Sequence, residues 1–256
     1  MKVAILAGGL GTRLTEETTL KPKPMVEIGG MPILWHIMKI YAAYGYKEFV
    51  IALGYKGEMI KDFFINYHYR ARNITVELCT GDLTFHDGES EDWIVHLLDT
   101  GQDTQTGGRI MRVANFIGNE PFMLTYGDGV ANINIPALVE FHKTQGKLVT
   151  LTAVRPPARF GQMVIEHGSV AEFKEKPQIG EGWINGGFFV LEPEIVKYIK
   201  NDQIVWEREP LEHLAADDQL NAYQHQDFWL CMDTLRDVQM LEKLWAGGTP
   251  PWRIWK

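Results

Sequence analysis

Three glycines and three cations lie close together near the start of the chain. The group follows an apolar run and comprises Gly8, Gly9, Gly11, Arg13, Lys21 and Lys23. Glycines let a backbone turn tightly and bring its N–H groups against a ligand with no Cβ in the way, an arrangement that suits phosphate. Arg13 can fork onto phosphate oxygens, and the prolines of KPKP reduce the entropy of placing Lys23. The combination predicts a phosphate site, with an ordinary glycine turn and solvated cations as the alternative.

The sequence of this loop does not match two familiar nucleotide-binding motifs. The pattern G-x-G-x-x-G needs a third glycine where Leu14 stands. The pattern G-x-x-x-x-G-K-[ST] needs a lysine and a hydroxyl residue where Thr12 and Arg13 follow Gly11. A dinucleotide-dependent oxidoreductase is therefore disfavoured.

Two aspartates could bind a metal. Asp128 ends the apolar run PFMLTYGDG, which is typical of a strand buried on both faces, and ligands bind beyond the carboxyl ends of such strands. Asp233 follows the aromatic segment DFWLCM. A hard cation such as Mg²⁺ takes oxygen ligands and accepts one or two carboxylates. Asp128 could instead be only a turn residue, and Asp233 could cap a helix that begins near Thr234.

A polar, glycine-rich segment, DTGQDTQTGGRI at residues 99–110, is too long for a plain connection. It predicts either a loop that contacts the ligand or a flexible surface loop that closes over the site.

Strand and helix patterns alternate through residues 1–155 and must position these groups. The predicted strands are residues 3–7, 48–55, 73–79, 121–129 and 148–154, and the predicted helices are residues 32–45, 56–67 and 136–145. Such alternation implies right-handed crossovers and an α/β fold with a doubly wound, mostly parallel, Rossmann-like sheet.

The regular alternation of strand and helix patterns ends after Arg155. The later part of the chain predicts a hairpin around His167 and Gly168, a strand at 184–193, and helices near 193–200, 210–216 and 232–245. We expect one domain over residues 1–256, in which 1–155 form the α/β core. Residues 156–256 would supply a small β-rich insertion and a helical C-terminal end.

Composition narrows the class of protein. The chain has 256 residues and a formal net charge of −8, with an isoelectric point near 5.5, which argues against nucleic-acid binding. Cys79 and Cys231 provide neither a disulfide framework nor a zinc pattern, and both are expected to be buried small hydrophobes in a reducing compartment. No window has the length of a membrane span and no leader pattern stands at the start, so the expectation is a cytoplasmic protein without membrane contact.

The C-terminal segment is rich in tryptophan. Trp245, Trp252 and Trp255 need cover, which either a subunit interface of a homo-oligomer or packing onto the same subunit would provide.

Five motifs stand in the order that the sugar-phosphate nucleotidyltransferases show. They are LAGGLGTRL with KPKPMV, then YGDG, FKEKP, INGGFFVL and MDT, and together they span nearly the whole chain. The chain resembles that family, whose members join a nucleoside triphosphate to a sugar 1-phosphate and release pyrophosphate. The eight histidines show no close paired spacing and no G-x-S-x-G elbow is present, so we expect direct transfer without a covalent enzyme intermediate.

The resemblance implies a role for individual residues. The implied nucleotide-binding residues are Leu6, Ala7, Gly8, Gly9, Gly11, Thr12, Arg13, Lys23, Thr104, Arg109 and Gly127. The implied catalytic residues are Arg13, Lys23 and Asp128, and the implied ligands of Mg²⁺ are Asp128 and Asp233. The implied sugar-phosphate residues are Gly161, Glu175, Lys176, Asn185 and Gly186.

Further segments narrow the substrates within that family. DTGQDTQTGGRI, YGDGVA, WEREPL and FWLCMDTLRD resemble members that use CTP and α-D-glucose 1-phosphate to make CDP-glucose for deoxysugar and surface-polysaccharide synthesis. The alternatives are the same chemistry with UTP, dTTP, GTP or another sugar 1-phosphate, and a regulatory subunit without turnover.

Overall fold

The computed structural model describes residues 1–9, 11, 14, 18–88, 90–156, 162–166, 169–174 and 182–255. Its strands are β1 (Val3–Leu6), β2 (Glu27–Ile28), β3 (Met31–Pro32), β4 (Glu48–Leu53), β5 (Ile74–Glu77), β6 (Asp82–Phe85), β7 (Ile94–Asp99), β8 (Phe122–Tyr126), β9 (Gly129–Ala131), β10 (Val149–Val154), β11 (Gln162–Glu166), β12 (Ser169–Lys174), β13 (Ile184–Leu191), β14 (Leu220–His225) and β15 (Trp229–Cys231).

The helices alternate with these strands. They are α1 (Ile33–Ala42), α2 (Gly57–Ile65), α3 (Tyr67–Arg70), α4 (Thr106–Ile117), α5 (Ile135–Gln145), α6 (Glu209–Ala216) and α7 (Leu235–Ala246), with 3-10 helices at Lys23–Met25 and Pro193–Tyr198. Across the described parts of the chain, none of these helices has both the length and the apolar character that crossing a lipid bilayer requires.

Seven strands form one twisted sheet in the order β14-β10-β13-β8-β1-β4-β7. All neighbouring pairs are parallel except the two that β13 makes with β10 and β8. Along β1, Val3 and Ile5 point into one apolar core, whereas Ala4 and Leu6 point into the other. A central strand buried on both faces is what helices on both sides of a sheet produce. The predicted doubly wound, mostly parallel α/β fold is therefore confirmed.

One predicted strand lies outside this sheet. Residues 74–77 pair with β6 as a separate, largely exposed hairpin, and β7 takes the place beside β4. The turn of the hairpin needs Gly81 at φ +80°, which glycine adopts without strain. Cys79 is exposed in this hairpin, so the expectation that both cysteines are buried is wrong for Cys79.

The segment predicted as a polar loop contains the start of a helix. Helix α4 begins at Thr106, and its glycines lie directly against the backbone of a later segment. A Cβ at Gly107 would lie 2.6 Å from the carbonyl oxygen of Ile204, and a Cβ at Gly108 would lie 2.6 Å from Cα of Asp202. These glycines lower the helix propensity of the segment, but they also permit its close packing. The segment is helical because this packing outweighs the low propensity.

The C-terminal tryptophans pack onto the chain that carries them. Trp252 is fully buried, and its indole N–H donates to Nδ1 of His36 over 3.4 Å. The ring centroids of His36 and Trp245 are 4.7 Å apart. Because Nδ1 accepts from Trp252, Nε2 of His36 carries the hydrogen and donates to the carbonyl of Ile28 over 2.8 Å. A neutral imidazole is therefore built into this aromatic cluster.

The buried imidazole makes stability depend on pH. Burial lowers the pKa of His36 from 6.5 to about 4, so below pH 6.5 the unfolded chain binds a proton that the folded chain rejects. We expect the free energy of unfolding to fall by about 3 kcal/mol between pH 6.5 and pH 4 through this group alone. Urea denaturation at a series of pH values measures the slope of the free energy of unfolding against pH.

His36→Gln can keep one side-chain hydrogen bond and cannot titrate. It should flatten the slope by about one proton. An unchanged slope in His36→Gln contradicts the assignment.

Candidate active site

A cleft of about 1020 Å³ opens at the carboxyl ends of β1 and β8. This volume is enough for a nucleotide together with a second small substrate. It is lined by every predicted site residue that the structure describes, namely Leu6, Ala7, Gly8, Gly9, Gly11, Lys23, Thr104, Arg109, Gly127, Asp128, Asn185, Gly186 and Asp233. Residues separated by more than two hundred positions in sequence thus meet in one place.

The remaining predicted residues lie outside the described ranges. They are Thr12 and Arg13 of the glycine loop and Gly161, Glu175 and Lys176 of the sugar-phosphate part. Their roles stay predictions.

Strand pairing brings the two aspartates together. Asp128 stands between β8 and β9, and β9 pairs with β15 so that Gly129 lies opposite Cys231. The N–H of Met232 then donates to the carbonyl of Asp128 over 2.9 Å, which leaves Asp233 beside Asp128. Gly127 lies close against β1, because its N–H donates to the carbonyl of Leu6 over 3.0 Å.

The ammonium of Lys23 lies between the two carboxylates. Its Nζ donates to Oδ2 of Asp128 over 2.5 Å and to Oδ1 of Asp233 over 2.6 Å. Lys23 is held on a short 3-10 helix between Pro22 and Pro24, which fixes the stem of the side chain. Burial by itself lowers the pKa of Lys23, but Asp128, Cys231 and Asp233 together hold that pKa above its ordinary value. The lysine is therefore a fixed cation of the cleft.

The same carboxylates could hold a metal ion. Ligand atoms of Asp128, Cys231 and Asp233 all lie within 4.8 Å of one another. Two carboxylates provide the oxygen donors that a hard divalent cation prefers. Burial raises the pKa of Cys231, with the charge of Asp128 adding to the effect, and sulfur is a soft donor that a hard cation disfavours. The oxygen pair is the better site.

The helix cap at this point belongs to a neighbouring residue. Thr234 accepts from the N–H of Asp237, and the carboxylate of Asp237 accepts from the N–H of Thr234, as a capping box requires. The carboxylate of Asp233 is directed to Lys23 instead. The alternative that Asp233 serves only as a helix cap does not fit this geometry.

Arg109 lies underneath the glycine loop. It is 4 % exposed, and its terminal nitrogens donate to the carbonyls of Gly8, Leu53, Gly101 and Gln102 and to the hydroxyl of Thr100. Burial lowers the pKa of Arg109, although an arginine keeps its charge near neutrality. The guanidinium thus joins the glycine loop to residues 100–102 from below, while part of it lines the cleft.

Enlarging Gly54 should displace this guanidinium. A Cβ at Gly54 would lie 2.6 Å from Nη2 of Arg109 and 2.7 Å from the carbonyl oxygen of Gly8. We expect Gly54→Ala to lower the free energy of unfolding by about 1–3 kcal/mol and to weaken nucleotide binding because the loop moves. Chemical denaturation and nucleotide titration measure the two effects.

A matched substitution is Gly182→Ala, where no atom of the described residues lies within 4 Å of the added Cβ. Equal stability and nucleotide affinity in the two alanine variants would contradict the tight fit around Arg109.

The opposite wall of the cleft comes from β13. The carbonyl of Gly186 accepts from the indole N–H of Trp229 over 2.8 Å, and a Cβ at Gly186 would lie 2.6 Å from Cγ1 of Val154. Asn185 contacts the hydroxyl of Tyr126, which in turn donates to Glu207 over 2.6 Å. The sequence reasoning did not select Tyr126, Glu207 or Trp229 as site residues, although YGDG and WEREPL contained two of them.

Comparison with known proteins agrees with this geometry. Residues 2–245 match the model of the family described as "Nucleotidyl transferase". The chain is 52% identical to the glucose-1-phosphate cytidylyltransferase of Salmonella typhi and 44% identical to the probable glucose-1-phosphate cytidylyltransferase of Bacillus subtilis, in both cases over 100% of this chain and 100% of the relative. The crystal structure of HddC from Yersinia pseudotuberculosis superposes with a TM-score of 0.70 at 23% identity, over 95% of this chain and 99% of that one, which shows a shared fold.

Proposed function

Because this chain belongs to the nucleotidyl transferase family, we propose that it transfers the cytidylyl group of CTP to α-D-glucose 1-phosphate and so forms CDP-glucose and pyrophosphate. The observation that carries the proposal is the full-length identity to the Salmonella typhi enzyme. At that level of identity over both whole chains, a change of fold or of reaction class is not expected. The cleft adds independent support, since it is large enough for two substrates. Between its walls lie the charged groups Lys23, Asp128 and Asp233.

The reaction is a displacement at the α-phosphorus of the nucleotide. An oxygen of the sugar phosphate must approach a phosphorus that is already surrounded by negative oxygens, so position and positive charge limit the rate. Backbone N–H groups of Gly8, Gly9 and Gly11 would face the triphosphate, because side chains are absent there. Lys23 would interact with the phosphate charge that grows as pyrophosphate leaves, together with Arg13.

Asp128 and Asp233 would hold the metal ion, which we propose to be Mg²⁺. Their oxygen atoms fit a hard cation better than the soft sulfur of Cys231 beside them does. Bound there, the ion would neutralise phosphate charge during transfer. Lys23 donates to one oxygen of each carboxylate, so its ammonium would compete with the ion for this pair.

The two walls of the cleft would bind different parts of the substrates. Thr104 and Arg109 lie on the side of α4 and would contact or shape the nucleotide site, with Arg109 acting chiefly through the loop that it holds. Asn185 and Gly186 lie on β13 and would bind the sugar phosphate, together with Gly161, Glu175 and Lys176. This division corresponds to a nucleotide-binding core at 1–155 and a sugar-phosphate part at 156–256 within one domain.

The proposal also includes two wider roles. The sequence resemblance implies the supply of CDP-glucose to surface-polysaccharide and O-antigen synthesis, and the tryptophan-rich C-terminal segment suggests assembly into a homo-oligomer. Light scattering of the purified protein tests the second role directly.

Pyrophosphate release tests the proposed reaction. The purified protein is incubated with Mg²⁺, each of CTP, UTP, dTTP and GTP, and several sugar 1-phosphates. Release with CTP and glucose 1-phosphate, above all other pairs, is the expected result. Release only with another base would refute the assignment of CTP and keep the reaction class. No release from any pair would refute the proposal that the protein is a nucleotidyltransferase.

A further inference from the structure

A continuous chain of hydrogen bonds crosses the cleft from its nucleotide side to its sugar side. It begins at Thr106, the first residue of α4, and ends at Asn185 in β13. The two residues between them are Glu207 and Tyr126, and all four line the cleft. The roles described above use only Asn185.

Donors and acceptors alternate correctly along this chain. The hydroxyl of Thr106 donates to Oε2 of Glu207 over 2.7 Å, and the hydroxyl of Tyr126 donates to Oε1 over 2.6 Å. Nδ2 of Asn185 donates to the hydroxyl oxygen of Tyr126 over 3.2 Å. An ionised carboxylate accepts at both oxygens, so every bond has the polarity that its groups permit. Burial, followed by the charge of Glu207, raises the pKa of Tyr126, so the hydroxyl remains a donor.

Backbone groups fix both ends. The N–H of Trp206 donates to the hydroxyl oxygen of Thr106 over 2.9 Å. The N–H of Gly187 donates to Oδ1 of Asn185 over 2.9 Å, which sets the orientation of the amide. An amide has two N–H donors and two acceptor lone pairs, and these bonds use one of each. One donor and one acceptor of Asn185 can therefore serve a sugar hydroxyl.

The nucleotide end is attached to the segment that carries Glu207. The N–H of Gln105 donates to the carbonyl of Asp202 over 2.8 Å, and the N–H of Gly107 donates to the carbonyl of Ile204 over 2.9 Å. The start of α4 and the segment at 202–207 are thus fastened together at two further points. A shift of the preceding loop on nucleotide binding would carry Glu207 with it.

We propose that Glu207 and Tyr126 are positioning residues that orient Asn185 for the sugar 1-phosphate and link this orientation to Thr106 on the nucleotide side. The inference rests on the proposed function and deepens it, because it adds a specific physical connection between the two substrate sites. It also assigns a role to Glu207, an exposed carboxylate that would otherwise be an ordinary surface charge.

Kinetics of three variants test the linkage. Tyr126→Phe and Thr106→Val each remove one hydroxyl, and Thr106→Ser keeps the hydroxyl. We expect the KM for glucose 1-phosphate to rise about fivefold to tenfold in Tyr126→Phe and Thr106→Val and to stay within about twofold in Thr106→Ser. The KM for CTP should change by less than about twofold in Tyr126→Phe. In the double variant the two increases should not multiply, because Thr106 acts on Asn185 through Tyr126.

A matched control is Tyr198→Phe, which removes a 2.9 Å bond from a tyrosine hydroxyl to the carboxylate of Asp217 outside the cleft. It should leave both KM values unchanged. An unchanged KM for glucose 1-phosphate in Tyr126→Phe or Thr106→Val, or multiplied effects in the double variant, overturns the linkage. Calorimetric binding of glucose 1-phosphate gives the same comparison without turnover, so an inactive wild-type protein would refute the proposed reaction and still leave the linkage measurable.

Discussion

Replacement of Asp128 by asparagine is expected to lower kcat/KM by about 10³-fold while the protein stays folded. The substitution keeps the shape of the side chain and removes one of two carboxylates that face Lys23. Loss of that charge weakens the binding of a divalent cation to the oxygen pair. Less of the negative charge around the α-phosphorus is then neutralised during transfer. Pyrophosphate release under saturating and subsaturating CTP measures the effect.

Two further measurements distinguish weaker metal binding from a non-specific effect of the substitution. Titration with Mn²⁺ in the absence of nucleotide should show weaker binding in Asp128→Asn than in the wild-type protein. The exposed Asp227→Asn makes the same chemical change away from the cleft and should behave as wild type. Full activity in Asp128→Asn would remove Asp128 from the metal site.

The central strands of the fold could be predicted because their burial leaves a local signature. Residues 3–7 and 121–129 are nearly continuous apolar runs, as strands covered on both faces must be. The edge of the sheet has no such signature. The sequence predicts a strand at residues 73–79, and only pairing with β4, a non-local contact, places residues 94–99 in the sheet instead.

The individual groups of the site could be predicted, but their contacts could not. Lys23 is 105 residues from Asp128 and 210 residues from Asp233, so only the pairing of β9 with β15 shows that one ammonium contacts both carboxylates. Arg109 shows the same limit. Its residue type suggests a ligand contact, whereas its position in α4 directs it to carbonyls beneath the glycine loop.

Removing the ammonium of Lys23 should have opposite effects on turnover and on metal affinity. Lys23→Met keeps a long side chain and deletes the charge, so kcat/KM should fall by about 10²-fold as phosphate stabilisation is lost. Metal binding in the absence of nucleotide should become tighter, because the competing cation no longer occupies the oxygen pair. Without metal, loss of the ammonium leaves the two carboxylates to repel each other, which should lower the free energy of unfolding by about 2 kcal/mol.

The three effects can be measured on one preparation by pyrophosphate release, Mn²⁺ titration and thermal unfolding with and without metal. Lys47→Met removes a lysine from a 2.6 Å pair with Asp92 at the surface and provides the matched control. Weaker metal binding in Lys23→Met would mean that the lysine supports the metal site instead of competing for it. If metal restores the stability of Lys23→Met but not its turnover, Lys23 acts on the phosphates as well as on the carboxylates, since a purely structural lysine would be fully replaced by the ion.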